Sequence, residues 1–172
     1  MEDARFEEVV AHRGDLRWPL PKDFVARLKG HTVVGLGRRA KYLLADLSSG
    51  DVLLMHLGMS GSFRVTWDKK VEKTPGRFHH ARSDERAHDH VVFAMSSGAV
   101  VTFNDPRRFG FMKLIARAEL ETEPHLKLLG PEPLGNAFDA AMLAAACHNK
   151  TTSLKGALLD QRVVAGLGNI YV

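Results

Sequence analysis

Two stretches of the chain repeat one pattern, and this pattern limits the folds that the chain can adopt. In "KYLLADLSSGDVLLMHLGM" and in "HVVFAMSSGAVVTFN", Ser-Ser-Gly separates two segments rich in Val, Leu and Phe. A glycine in so short a connection supplies the positive φ that the turn of an antiparallel hairpin needs. Residues from about 6 to 116 are therefore predicted to be mostly strands, and we expect them to form an antiparallel β-sandwich.

From about residue 119 the apolar spacing becomes helical. Helices are predicted in "AELETEPHLKLLG", "NAFDAAMLAAACHN" and "TTSLKGALLDQ", and "GPEPLG" is predicted to link the first two. The class is therefore α+β with segregated elements, a β-sandwich domain over 1–116 followed by a helical domain over 117–172. Between the hairpins, residues 68–89 are charged, contain Pro and Gly and have no apolar period, which predicts a mobile surface loop.

Composition restricts the function classes. Lys and Arg number 24 against 20 Asp and Glu, so the net charge is +4 with nine histidines in addition. This excess favours a polyanionic partner. The single cysteine, Cys147, excludes a disulfide scaffold or a multi-cysteine zinc site within the chain and fits a reducing cytosol. The chain has no apolar run of the roughly 18 residues that span a bilayer, and its first residues are acidic, so we expect a protein that is neither exported nor embedded.

The motif "DPRRFG" (105–110) is the first candidate site. Asp-Pro ends the preceding strand and the glycine allows a tight return, so Arg107, Arg108 and Phe109 are predicted to lie on a protruding loop. One interpretation is a solvated turn whose Phe109 packs back into the core. The other is a nucleic-acid probe, with arginines at phosphates or base edges and a ring wedged into a base step.

The motif "HLGMSGSFRV" (56–65) is the second candidate, because it places Met59 at a turn between two glycines. Met59 either caps the core or enters a partner. Together with Phe109 it would supply two apolar wedges beside an arginine, which is what unstacking one nucleotide requires.

Cationic residues extend the candidate set. Lys41 follows two arginines at the start of a strand and is either a solvated strand end or a cation aimed at a phosphate or a leaving oxygen. His88 and His90 are predicted on one strand face; a metal pair is rejected for lack of further ligands, whereas a phosphate donor is retained. "NKTTSLKGALLDQRVVAGLGN" is predicted to be a Thr-capped helix bearing Lys150 and Lys155, then a glycine turn and a helix start at Asn169 that suits a phosphate. An ordinary helical hairpin is the alternative.

The order of these motifs resembles bacterial formamidopyrimidine-DNA glycosylase. "LRWPLP", "RRAKYLL", "HLGMSGSFRV", "HDHV", "DPRRFG", "LGPEPL" and "TTSLKGALLDQRVVAGLGNIY" match that family along almost the whole chain. The resemblance implies a sandwich domain and a helix-two-turns-helix domain facing each other across a DNA-binding cleft, with a zinc finger after them. It also implies excision of 8-oxoguanine and formamidopyrimidines by base flipping, then β- and δ-elimination. Met59 with "DPRRFG" favours the branch acting on purines over the branch acting on pyrimidines.

The resemblance also assigns roles to residues. Met59, Arg107 and Phe109 match the triad that fills the void beside a flipped nucleotide, and Lys41 matches a proton donor in elimination. The basic position of the family near Lys150 falls on Asn149, so that contact is expected at either residue. The expected DNA-contacting residues are His56, His88, Arg107, Arg108, Asn149, Lys150, Lys155 and Asn169.

Several parts of the family pattern are missing from these residues. The amino-terminal proline nucleophile, the glutamate after it, the four-cysteine zinc finger and most of the second helix of the helix-two-turns-helix motif have no match. We therefore expect an excerpt truncated at both ends, inactive by itself and without a cofactor, with one zinc ion expected in the finger of the full-length protein. The expected partner is duplex DNA containing oxidised purines or abasic sites, bound by a monomer in the bacterial cytoplasm at the nucleoid. The alternatives are a non-catalytic binder of damaged or abasic DNA and a general nucleic-acid scaffold.

Overall fold

The computed structural model describes residues 1–67, 71–78, 80–149 and 151–172. They form two compact units, one of Met1–Gly37 with Tyr42–Arg117 and the other of Arg38–Lys41 with Ala118–Val172. The strands are β1 Phe6–Ala11, β2 Val33–Arg39, β3 Tyr42–Leu47, β4 Asp51–His56, β5 Ser62–Trp67, β6 Val71–Lys73, β7 Asp89–Met95, β8 Ala99–Asn104 and β9 Phe111–Ala116. The α-helices are α1 Phe24–Leu28, α2 Ala140–Cys147 and α3 Leu154–Leu159, and 3₁₀ turns cover Arg86–His88 and Arg117–Thr122.

The first unit contains two sheets, as the sandwich prediction requires. One has the order β1-β7-β8-β5-β6 and the other β2-β3-β4-β9. The pairs β1–β7, β7–β8, β8–β5 and β5–β6 are antiparallel, as are β3–β4 and β4–β9. With helices following the strands, the α+β class and the β-sandwich are confirmed.

The hydrophobic core lies between the two sheets of this unit. Phe6, Phe93 and Phe103 from the five-stranded sheet and Leu53 and Met55 from the other belong to one buried cluster. Phe6 and Phe93 meet edge to face, with ring centroids 5.4 Å apart. Burying several large side chains from both sheets fixes the register, because a slip by one residue would turn each of them toward water.

Both predicted hairpins are present. β3 and β4 flank the first Ser-Ser-Gly, and β7 and β8 flank the second. Gly50 and Gly98 have φ of 86° and 80°, the left-handed conformation that the turn requires.

The prediction of a mobile loop over 68–89 was wrong at 71–73 and 86–89, and residues 68–70 and 79 of that segment lie outside the described residues. β6 pairs with β5 in the register Val65↔Lys73, and Arg86–His88 form a 3₁₀ turn that leads into β7. The polar composition concealed the strand, because an edge strand needs only main-chain pairing and tolerates charged side chains.

Three helix predictions need correction. The first predicted helix, over residues 118–130, is a 3₁₀ turn at Arg117–Thr122 followed by turns. Pro124 disfavours helical backbone at Glu123 and has no N–H to donate. α3 is capped by Ser153, whose hydroxyl accepts from Gly156 N, and not by threonine. At Asn169 the structure has a turn closed by Tyr171 N and Val172 N on Gly168 O, not an assigned helix.

The prediction of α2 is confirmed, since Asp139 caps Ala140–Cys147 by accepting from Met142 N. Over the part of the chain that the structure describes, no helix has both the length and the apolar character needed to cross a bilayer.

Candidate nucleic-acid interface

In the first unit, the turn that carries Met59 lies directly against the "DPRRFG" loop. Gly58 has φ of 64°, and a Cβ added there would lie 2.5 Å from the carbonyl carbon of Phe109 and 2.6 Å from Gly110 N. Only a glycine allows two backbones to approach so closely in this conformation. The sequence placed Met59 and Phe109 on separate loops, and the fold brings these loops together.

A buried carboxylate joins the two loops. Asp105 is fully buried, and its Oδ2 accepts from Gly110 N at 2.8 Å while its Oδ1 accepts from the Ser60 hydroxyl. The Ser60 oxygen in turn accepts from Arg107 N at 3.3 Å. Sequence reasoning treated Asp105 only as a strand breaker and did not consider Ser60, since no local signal links residues 45 positions apart.

The three residues predicted to fill a void are grouped on this surface. Met59 is 64% exposed and Phe109 is 40% exposed, so the alternative in which they pack into the core is wrong. The Arg107 guanidinium lies over the Phe109 ring, 4.5 Å from its centroid. Such stacking holds the ring and the cation together as one group. Met59, Phe109 and the Arg107 guanidinium thus project from a backbone that hydrogen bonds to the buried Asp105 hold in place.

Arg108 points differently from Arg107. Its φ is 53°, and its Nη1 lies 3.5 Å from Asp15 Oδ2. The hydrogen bond from Arg13, supported by the charge of Arg108, lowers the pKa of the Asp15 carboxyl despite partial desolvation. A cleft of about 350 Å³ beside this pair is lined by Leu16, Arg17, Arg107, Arg108 and Phe109. Its guanidiniums suit an anion and its ring suits a flat apolar surface.

The histidines occupy structural positions near these loops. His56 ends β4, and its Nδ1 accepts from Gly58 N at 3.0 Å while its ring stacks on Phe111 at 5.4 Å. His90 is buried, with Nε2 2.9 Å from Asp105 O. His88 ends the 3₁₀ turn and its Nδ1 lies 3.5 Å from Glu85 Oε2. The prediction that His88 and His90 share a strand face was wrong, because β7 begins between them, at Asp89.

In the second unit, the Glu132 carboxylate anchors the segment 38–41 through hydrogen bonds. Its Oε1 accepts from Ala40 N at 2.6 Å and from Arg39 Nη1 at 2.7 Å, and its Oε2 accepts from Arg38 Nη1 at 2.9 Å. Arg39 also donates to Leu129 O. Burial raises the pKa of the Glu132 carboxyl, but the hydrogen bonds from Ala40, Arg39 and Arg38 outweigh it, so the pKa lies below its ordinary value.

Lys41 leaves this anchored segment and reaches the turn near the end of the chain. Its Nζ donates to Leu167 O at 2.6 Å, and a Cβ on Gly168 would lie 3.2 Å from that nitrogen. Burial lowers the pKa of the Lys41 ammonium. A partly desolvated ammonium with a lowered pKa is suited to donating a proton.

The other predicted contacts of the second unit are dispersed. Asn149 has φ of 55° one residue beyond His148, the C-cap of α2, a left-handed position that commonly follows a helix and that asparagine tolerates. Lys155 is exposed near the start of α3, and Asn169 is exposed in the last turn. Lys150 lies outside the described residues.

The donor side chains of the described residues do not form a zinc site. In the described ranges no group of three or more His, Cys, Asp and Glu side chains could hold a metal. A structural zinc finger of the four-cysteine type needs four thiolates, and the chain has one cysteine.

Comparison with known sequences assigns the chain. Residues 1–112 match the sequence model of the formamidopyrimidine-DNA glycosylase N-terminal domain, and residues 129–172 match that of the formamidopyrimidine-DNA glycosylase H2TH domain. The chain belongs to the formamidopyrimidine-DNA glycosylase family. A relative of that name from Afipia carboxidovorans is 74% identical over all 172 residues, which cover 58% of its length. The chain thus spans about three fifths of this curated relative.

Solved members of the family have the same fold. The Lactococcus lactis enzyme in complex with DNA containing an abasic site superposes with a TM-score of 0.81 at 26% identity, over 99% of this chain and 59% of that one. The same enzyme with DNA containing Fapy-dG gives a TM-score of 0.79 at 27% identity, over 98% of this chain and 58% of that one.

The contact between the Met59 turn and the Phe109 loop predicts a large effect of Gly58→Ala. Gly50→Ala is the matched control, since Gly50 has φ of 86° but nothing within 4 Å of an added Cβ. We expect Gly50→Ala to lower the free energy of unfolding by about 1–2 kcal/mol through backbone strain alone. Gly58→Ala should lower it by about 1–3 kcal/mol more, because its Cβ overlaps main-chain atoms. Urea unfolding followed by tryptophan fluorescence measures both, and equal losses would contradict the contact.

The hydrogen bonds of Glu132 predict an acid-sensitive second unit. Because its pKa is lowered in the folded state, its stabilising contribution is present above the ordinary value of 4.5 and is lost as the pH falls through the lowered value. Glu132→Gln should therefore reduce amide-exchange protection of Gly130 and Ala165 at pH 6.5, by about 1–2 kcal/mol, and the difference from wild type should shrink below pH 4.5. Glu121→Gln, a change of an exposed glutamate, is the control and should change neither the exchange protection of these amides nor its dependence on pH. A constant difference at every pH would show that the carboxylate charge does not matter.

Proposed function

We propose that this chain is part of a DNA glycosylase with abasic-site lyase activity that removes oxidised purines from duplex DNA. Its role in that enzyme is to hold the damaged site open. The observation that carries the proposal is the exposed group of Met59, Arg107 and Phe109 on a fixed backbone. Family membership and the DNA named for the Lactococcus lactis complexes support the substrate class.

The chemistry of the wedge follows from its composition. Extruding a nucleotide leaves a gap and costs a few kcal/mol of unstacking. Apolar side chains refill the gap without requiring hydrogen-bond partners, and the Arg107 guanidinium can donate to the base edge or the phosphate left behind. Because Phe109 and Arg107 stack, they would enter the duplex as one unit.

Lys41 is proposed to donate a proton during backbone elimination. The lowered pKa of its ammonium supports this, since transfer to a developing oxyanion becomes easier as the donor becomes more acidic. The family resemblance assigns the attack on the sugar C1′ to an amino-terminal proline assisted by a glutamate, and neither matches a position of these 172 residues. The nucleophile and the zinc finger are therefore proposed for parts of the protein beyond this chain.

The contacts with the rest of the duplex are proposed for His56, His88, Arg108, Asn149, Lys150, Lys155 and Asn169. We also propose a domain boundary near residue 116, action as a monomer and a location in the bacterial cytoplasm with the chromosome. The basic balance of the chain, +4, supports a nucleic-acid partner.

A non-catalytic binder of abasic DNA is the second candidate. It is favoured by one observation, that the wedge of Met59, Arg107 and Phe109, which is all that recognition of an abasic site needs, is formed within these residues. The two candidates share the binding step and differ only in covalent chemistry.

The binding step predicts selectivity for a lesion. The 172-residue chain should bind a duplex containing tetrahydrofuran, a stable abasic analogue, more tightly than the intact duplex. Phe109→Ala and Met59→Ala should each reduce this preference by about tenfold, since a buried apolar or aromatic anchor contributes roughly 1–2 kcal/mol. Trp67→Ala, which removes another exposed aromatic residue, is the control. Fluorescence anisotropy at fixed salt measures both duplexes, and a parallel fall on both would show that neither residue acts as a wedge.

The covalent step distinguishes the two candidates. In the full reading frame that contains these codons, borohydride should trap a covalent complex on 8-oxoguanine duplex, because an amine nucleophile forms a reducible Schiff base. Lys41→Met should leave trapping in place and slow strand cleavage. Folded full-length protein that binds the lesion but traps nothing would favour the non-catalytic binder.

A further inference from the structure

We propose that Arg82 is a positioning residue for the Met59 wedge. Gly76, Phe78 and Arg82 together form a brace that holds the Met59 turn. This assigns a role to the charged segment between β6 and β7, and it rests on the proposed function of Met59. Arg82 would act on lesion recognition through the main chain of Met59 and not through contact with DNA.

Arg82 makes two contacts that together fix its head group. Its Nη1 donates to Met59 O at 2.9 Å, and its guanidinium carbon lies 4.2 Å from the centroid of the Phe78 ring. The ring lies close to Gly76, where an added Cβ would approach Phe78 Cζ to 3.2 Å and where φ is 110°. Stacking on one face and a hydrogen bond at one edge leave the guanidinium little rotational freedom.

The segment that carries Arg82 is itself tied to the strand end below the wedge. Asn104 Nδ2 donates to Glu85 O at 2.8 Å, and Asp105 N donates to His88 O at 3.0 Å. The segment is thus attached to the end of β8, the same strand end that supports Arg107 and Phe109. Arg82 is therefore anchored from both sides of its sequence, by Phe78 before it and by these main-chain contacts after it.

The Met59 turn needs such an anchor at its carbonyl. Met59 is 64% exposed, so its side chain packs little and the backbone has to set its direction. Gly58 N donates to His56 Nδ1, and the Ser60 hydroxyl donates to Asp105, so the residues on both sides of Met59 are fixed. The carbonyl of Met59 lies between them, and without a donor it would be free to rotate with its peptide unit. A charge-assisted hydrogen bond to this carbonyl fixes the peptide plane and with it the direction of the Met59 side chain.

Arg82 is half-buried, and one of its donors is buried at some cost. Its Nε is buried and lacks a hydrogen-bond partner among the described residues. Leaving a buried donor unpaired destabilises the fold.

The test is a double-mutant cycle on the 172-residue chain. The measured quantity is the ratio of the dissociation constants for intact and tetrahydrofuran-containing duplexes at fixed salt. Arg82→Ala and Phe78→Ala should each reduce this ratio about three- to tenfold, the effect of losing one charge-assisted contact. In a Met59→Ala background, Arg82→Ala should change it less than about twofold, because residues that act through one another are not additive. Arg77→Ala, the same charge change on an exposed side chain of the same segment, is the control.

Two results would overturn the proposal. If Arg82→Ala reduced the ratio of dissociation constants equally in wild type and in Met59→Ala, Arg82 would act by contacting DNA directly. An equal loss on Arg77→Ala would mean that only the charge matters. Circular dichroism melting of every variant identifies any that fails to fold, and Arg82→Lys, which keeps the charge but not the planar stacking group, then replaces Arg82→Ala.

A measurement without DNA separates this proposal from the proposed function. In the ¹³C-methyl spectrum of the free protein, the Met59 methyl signal should shift on Arg82→Ala and on Phe78→Ala but not on Arg77→Ala. If wild type shows no preference for the abasic duplex, the proposed function fails while this shift still decides whether Arg82 positions Met59. An unchanged Met59 signal in Arg82→Ala would overturn the brace.

Discussion

The exposed surface of the sandwich depends on one buried carboxylate. Asp105 accepts from Ser60 and from Gly110, which belong to loops that are far apart in sequence. A buried carboxylate without donors would be strongly destabilising, so the loops have to close around it. Once they are closed, Met59 and Phe109 can face solvent while the backbone beneath them stays fixed. Exposed apolar side chains usually favour aggregation, but here the hydrogen bonds of the buried Asp105 hold the loops that carry them in one conformation.

Glu132 has a comparable role in the other unit. It gathers Ala40 and the two arginines before it, so the segment 38–41 packs with residues 118–172 although it continues a strand of the sandwich. A boundary drawn along the sequence, at residue 116, could not include this segment. Because Glu132 anchors this segment, Lys41 is held against Leu167 O and is partly withdrawn from water, which lowers the pKa of its ammonium.

Sequence reasoning succeeded where a residue type has one dominant conformational use. Ser-Ser-Gly predicted both hairpins, and Asp-Pro predicted the end of β8. It failed where main-chain pairing or a single residue overrides the pattern. β6 is an edge strand within a charged segment of the sequence, and Pro124 stops the helix that the apolar spacing suggested. His88 precedes its strand because the 3₁₀ turn delays the start of β7, which no period in the sequence reports.

The sequence by itself determined the α+β class, the turns, the order of the motifs and thus the family, because these depend on local propensity and on residue identity. The tertiary structure decided which candidates act together. It placed Met59 beside Phe109, gave Arg107 its aromatic partner and joined Arg82 to the main chain of Met59. Each of these contacts links residues through hydrogen bonds or stacking that leave no periodic trace in the chain, so only the folded backbone could reveal them.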